Sequence, residues 1–292
     1  MKLPEKDESV IVQGITGRYG SLHTKLMLEY GTRIAAGVTP GKGGMSVEGV
    51  RVYDTMKEAV NKTGSTISIL FVPPSTFYEA AEEAMVAGAK LLIAITEHIP
   101  IRDTVKTLSI STKYGAHVVG PNTPGVILPS RKVKLGIMPA TSFRPGSLAL
   151  FSRSGTLMYE VANQLSVNGY GQVIALGIGG DPVNCTTMIE CFDWARDRDD
   201  VEGVVVVGEI GGDVEEMLAK HITESGFRKK VFAYIAGRAA PKEKKMGHAG
   251  AIIYGNFGTA ESKISALKSA GAQVAMTPAE IPLLVERSIK KG

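Results

Sequence analysis

Apolar residues recur along the chain in short, nearly unbroken runs, each followed by glycine or proline and then by a stretch with helical spacing. Runs at residues 9–13, 33–38, 66–72, 90–96 and 116–119 predict strands, and the stretches 21–30, 55–62, 76–87 and 101–114 predict helices. Strands apolar on both faces are expected where helices cover both sides of a parallel sheet. Between residues 121 and 146 the pattern lapses around Pro121, Pro124, Pro129, Pro139 and Pro145, and we read 126–146 as an inter-domain crossing. The alternation then restarts, with strands expected at 147–151, 172–176, 203–207, 230–235 and 273–275. Helices are expected at 156–168, 186–196, 214–224, 259–270 and 282–290. Both halves, 1–125 and 147–292, are expected to be α/β domains built on parallel sheets.

A length of 292 residues suffices for two domains with separate cores. A formal net charge of +4, evenly spread, gives no nucleic-acid footprint and suits small anionic ligands. The amino terminus is charged, and no apolar run approaches the ~18 residues of a membrane span, so a soluble, cytoplasmic protein without a membrane partner is expected. Cys185 and Cys191 have neither redox nor zinc spacing; they read as buried thiols, and no metal site is expected.

In the first half, strand 9–13 runs into Gly14-Ile15-Thr16-Gly17-Arg18-Tyr19-Gly20 ahead of a helix. Glycines between a strand and a helix start make a tight turn whose backbone N–H groups face an anion. The spacing is GxxGxxG rather than GxGxxG, and the second strand ends in Thr39-Pro40-Gly41-Lys42-Gly43-Gly44, with a lysine and no carboxylate. A cation there favours a phosphorylated ribose, as in CoA or NADP. Phe71-Val72-Pro73-Pro74 and Ile95-Thr96-Glu97-His98 end further strands at the same sheet edge, with His98 read as a histidine at the pocket rim.

In the second half, Ser152-Arg153-Ser154-Gly155-Thr156 opens a helix, offering hydroxyls, N–H groups and a helix dipole to a phosphate, or a plain N-cap. Glu209 follows a four-valine strand after a single glycine and is expected in the crevice at its carboxyl end. A carboxylate there can hold one ring nitrogen of a histidine and leave the other free to attack. His248, between Gly247 and Gly250, is the histidine that a ligand can approach closely, whereas His221 reads as a helix-surface residue.

Taken in order, residues 14–20, 38–44, 95–97, 121–122, 152–157, 177–182, 208–212 and 247–253 make the chain, over nearly its whole length, similar to the α subunits of succinate–CoA ligases, the succinyl-CoA synthetases. The resemblance implies a Rossmann-like CoA-binding domain followed by a flavodoxin-like phosphohistidine domain. It implies an acid–thiol ligase that interconverts succinyl-CoA, nucleoside diphosphate and phosphate with succinate, CoA and the triphosphate. His248 is implied as the phosphoryl carrier and Glu209 as its orienting partner. Thr16, Gly17, Arg18, Tyr19, Lys42, Ile95, Thr96 and Glu97 are implied to hold CoA. Ser154, Gly155, Thr156 and Tyr159 are implied to serve phosphate and substrate. The implied partner is a β subunit with an ATP-grasp domain that binds most of the Mg-nucleotide, in keeping with the lack of a GxxxxGK[ST] loop here. Many relatives carry cysteine in place of Thr123 and glycine in place of His98. A sister ligase for malate, citrate or another acid, and an NADP-linked oxidoreductase, are the alternative readings.

Overall fold

A computed structural model describes residues 3–239, 251–253 and 258–289. The chain divides into two compact units, Met1–Met138 with Val183–Thr186, and Pro139–Pro182 with Thr187–Gly292. Among the described residues no helix is long and apolar enough to cross a membrane.

The first unit runs β1 (Val10–Gln13), α1 (Arg18–Tyr30), β2 (Ile34–Val38), β3 (Ser46–Val47), β4 (Val50–Tyr53), α2 (Met56–Thr63), β5 (Ile67–Leu70), α3 (Phe77–Val86), β6 (Leu91–Ala94), α4 (Ile101–Tyr114) and β7 (His117–Val119). Its strands lie in the order β3-β4-β2-β1-β5-β6-β7, all parallel except the two-residue β3. Counting the parallel strands alone, this is the 3-2-1-4-5-6 order of the Rossmann fold. Strands β1, β5 and β6 are buried along their full length, in keeping with their nearly unbroken apolar runs, and the buried polar pair within them is satisfied by Gln13 Nε2 donating to Ser68 Oγ at 3.0 Å. Ile11, Leu70, Phe77 and Leu92 anchor a core that also takes in Cys185 from the returning segment Val183–Thr186. That segment donates Cys185 N–H to Gly120 O (2.7 Å) and Thr186 Oγ1–H to Val118 O (2.6 Å).

The stretch expected as a crossing is ordered for much of its length. It contains an antiparallel hairpin, β8 (Gly125–Leu128) with β9 (Val133–Gly136), and the chain leaves the first unit only after Met138.

The second unit comprises β10 (Pro145–Ser152), α5 (Gly155–Val167), β11 (Gln172–Gly177), α6 (Met188–Arg196), β12 (Gly203–Glu209), α7 (Val214–Glu224), β13 (Lys230–Ala236), α8 (Ala260–Ser269), β14 (Gln273–Ala275) and α9 (Ile281–Ser288). These strands run parallel in the order β14-β13-β12-β10-β11, the 2-1-3-4-5 arrangement of flavodoxin-like domains. All seven residues of β12 are buried. Helix α6 starts at a reciprocal capping box between Thr187 and Glu190. His221, read as a helix-surface residue, meets Asp193 Oδ1 through Nε2 at 2.8 Å, tying α7 to α6.

Candidate functional site

In the first unit the site residues gather at the carboxyl ends of the strands. Gly14 follows β1 with φ at +76°, and a Cβ there would lie 2.4 Å from Phe71 O; a Cβ on Gly20 would lie 2.1 Å from Gly14 O. Both glycines let α1 seat directly on the turn. Gly17 caps α1 without a side-chain hydrogen bond, and the first turn carries no acid, so its amides and the positive helix end face outward unneutralised. Arg18 and Tyr19 belong to that first turn rather than to the loop, and Tyr19 is 70% exposed.

Thr16 Oγ1 donates to Thr39 Oγ1 (3.2 Å), which donates to Val38 O (2.8 Å), joining the first two loops. Lys42 is exposed in the second loop, its N–H bonded to Thr39 O. A carboxylate does reach this loop, from β4 rather than β2: Asp54 Oδ1 accepts from Gly43 N–H at 2.8 Å. Buried Thr96 donates to Val72 O (2.8 Å) and its carbonyl accepts from Asn122 N–H, while Ile95 is half-buried and Glu97 exposed. His98 is exposed with φ at +61°, its Nε2 3.7 Å from Glu97 Oε1. A left-handed backbone there gives a physical reason for glycine at this position.

In the second unit, Ser152 Oγ donates to Ser154 O (2.6 Å) and accepts from Ser154 N–H (3.0 Å), folding the end of β10 into a tight turn. Ser154 Oγ accepts from Leu157 N–H at 3.4 Å and so is the N-cap of α5; Gly155 and exposed Thr156 are its first two residues. One turn on, half-buried Tyr159 packs edge-on against Phe143 at 6.4 Å. Burial pushes its phenol up to about 12, so it stays a proton donor across the physiological range.

Glu209 ends β12 and lines a cavity of about 430 Å³ together with Ile210, Ala236, Gly237, Arg238, Ala239 and Ala251. His248 lies outside the described residues, but Ala239 and Ala251, described residues on either side of it in sequence, both line the cavity that Glu209 faces. Behind Glu209 lies a buried charge cluster that the sequence reading missed. Arg153 Nη1 donates to Glu209 O (3.2 Å) and Gly211 O (3.0 Å), and Nη2 sits 3.6 Å from Glu209 Oε1. Glu215 and Lys263, both fully buried, form an ion pair beside it. The available signal was a glutamate and a lysine falling on the apolar faces of α7 and α8.

Residues 5–98 match the family model described as CoA binding domain, and residues 151–273 the one described as CoA-ligase. The chain is 49% identical over 290 residues to the succinate–CoA ligase [ADP-forming] subunit alpha of Aquifex aeolicus, covering 99% of this chain and 94% of that protein. It is 50% identical over 276 residues to subunit alpha 2 of Archaeoglobus fulgidus, covering 94% of this chain and 95% of that one. Among solved structures, ATP citrate lyase of Methanosaeta concilii in complex with (3S)-citryl-CoA superposes with a TM-score of 0.89 at 22% identity, over 100% of this chain and 52% of that one. At that identity the likeness speaks for the fold.

Proposed function

Because the chain belongs to the family of succinate–CoA ligase alpha subunits, we propose that it catalyses, with a β subunit, the interconversion of succinyl-CoA, nucleoside diphosphate and phosphate with succinate, CoA and the triphosphate. It is an acid–thiol ligase with a CoA-binding domain. In our reading phosphate displaces CoA from succinyl-CoA to give succinyl phosphate. His248 then takes the phosphoryl group, releases succinate, and passes the group to the diphosphate. We place the enzyme in the cytoplasm and assign the Mg-nucleotide mainly to an ATP-grasp domain of the partner.

The first unit fits a phosphorylated nucleotide such as CoA. Two glycines admit close backbone approach at the turn, the N–H groups of α1 are uncapped, and Arg18 and Lys42 are free to meet phosphates. We assign Thr16, Gly17, Arg18, Tyr19, Lys42, Ile95, Thr96 and Glu97 to that role. In the second unit, Ser154, Gly155 and Thr156 form the start of α5, where the helix dipole and N–H groups stabilise a transferring phosphoryl group. Tyr159 offers a phenolic proton one turn along.

One observation carries the phosphohistidine step: Glu209, at the end of β12, faces a cavity also lined by Ala239 and Ala251, which flank His248 in sequence. A carboxylate in that place can accept one ring N–H and leave the opposite nitrogen as the nucleophile. The test is incubation of the αβ enzyme with labelled ATP. An acid-labile, base-stable label on this chain that His248→Ala abolishes is the expected result; retention of the label in the variant overturns the assignment.

A further inference from the structure

Two charged side chains stand where helical spacing calls for apolar ones. The buried face of α7 is Glu215, Leu218, Ala219 and Ile222, and that of α8 is Ala260, Lys263 and Leu267. A charge withdrawn from water is costly unless it is paired, and an apolar pair of similar volume usually serves stability as well or better. Here the pairing is complete for Lys263. Its Nζ donates to the Glu215 carboxylate, to Glu216 Oε2 (3.0 Å) and to Gly212 O (3.0 Å).

The other oxygen of Glu215, Oε1, accepts from Glu209 N–H (3.1 Å) and from Arg153 Nη1 (3.4 Å). Arg153 extends the chain of contacts to Glu209 O, Gly211 O and the Glu209 carboxylate. Contacts from α7 and from the turn after β10 thus converge on Glu209 at the rim of the cavity, and α8 backs them through the Lys263–Glu215 pair. Two cations face three carboxylates in this cluster, leaving one formal negative charge. A net negative charge ending at a strand terminus suits the grip on an imidazole N–H.

From this convergence we infer that Arg153, backed by Glu215 and Lys263, is a positioning residue for phosphoryl transfer. Its guanidinium fork fixes the main chain and the carboxylate of Glu209 so that Glu209 holds a single ring nitrogen of the carrier histidine. The inference rests on the reading of His248 as that carrier. Arg153→Lys keeps the charge but loses the planar fork that reaches several acceptors at once. Glu215→Gln made together with Lys263→Met keeps an amide oxygen that accepts from Glu209 N–H, removes the charge behind Arg153 and leaves no buried cation unpaired.

The experiment measures, on the αβ enzyme, the rate of phosphoenzyme formation from ATP, the KM for CoA and, by 31P NMR, which ring nitrogen carries phosphorus. Expected for Arg153→Lys is a rate lower by about 10- to 100-fold, as for loss of a charge-assisted hydrogen bond. The KM for CoA should stay within about twofold, since the CoA candidates belong to the first unit, and phosphorus should be shared between the two ring nitrogens where the wild type shows one. The Glu215→Gln/Lys263→Met variant, which replaces the buried ion pair as a whole, should show the same pattern more weakly and supplies the test should the lysine variant not fold. Wild-type rate and a single isomer in both variants overturn the inference while leaving the carrier assignment intact. No His248-dependent label in the wild type overturns the carrier assignment itself and the inference with it.

Discussion

At the scale of single residues, the environment of each side chain separates those that bind from those that merely cap. Ser154 Oγ accepts from Leu157 N–H, which uses a lone pair and leaves its O–H able to donate to a phosphate at the helix start it defines. Tyr159 keeps its phenol protonated and its ring held against Phe143. Tyr159→Phe therefore removes a donor without disturbing packing. The expected outcome is an unchanged melting temperature and a KM for phosphate raised on the order of tenfold, the usual loss for a hydrogen bond to a charged group. Steady-state kinetics with phosphate varied and a thermal melt together check both halves of that statement.

At the scale of elements, the seat of α1 on the first turn is the tightest steric fit in the first site. A methyl group on Gly20 would run into Gly14 O, a backbone atom that cannot swing aside. Gly20→Ala is expected to destabilise the first unit by about 1–3 kcal/mol, the range for an overpacked core. It should also weaken CoA binding, because α1 must tilt off the loop; calorimetric titration with CoA and denaturant unfolding read the two effects.

The same scale shows what the sequence made legible. Nearly unbroken apolar runs located β1, β5, β6 and β12, since strands buried on both faces need no periodicity to be seen. The four-residue strands β8 and β9 sit among prolines and glycines that read as a break, and β4 alternates buried and exposed residues over too short a span to stand out. Of the site, the loops after the strands and Glu209 were legible because each directly follows an apolar run. Asp54 and the pairing of Arg153 with Glu215 were not, because partners 11 and 62 positions apart leave no local pattern. Lys263 could have been found, as a lysine in step with Ala260 and Leu267 on a buried helix face.

At the scale of the whole molecule, acid stability carries the mark of a histidine that is not among the candidate site residues. His23 stacks on Phe71 with ring centroids 5.7 Å apart, and its Nδ1 is buried without a hydrogen-bond partner among the described residues. Burial, and then the charge of Lys134, lower its pKa below 6.5. The folded chain thus resists a proton that the unfolded chain accepts. The stability this contributes is complete above about pH 6.5 and is lost as pH falls toward the folded value. His23→Phe should remove that loss. Melting temperatures of wild type and variant compared from pH 7.5 down to 5.5 are expected to shift steadily in the variant's favour; a constant difference would refute the assignment.

The brief return of Val183–Thr186 to the first unit has a practical meaning for anyone dividing the protein. Because Cys185 and Thr186 close backbone and core positions of that unit, no single cut of the chain yields both units whole. A fragment ending at Met138 would expose Gly120 O and the bed of the Cys185 thiol, and the complementary piece would carry an orphan tetrapeptide. The chain passes between the units three times, after Met138, Pro182 and Thr186, so their covalent relation is an alternation along one thread and not two beads joined by a linker.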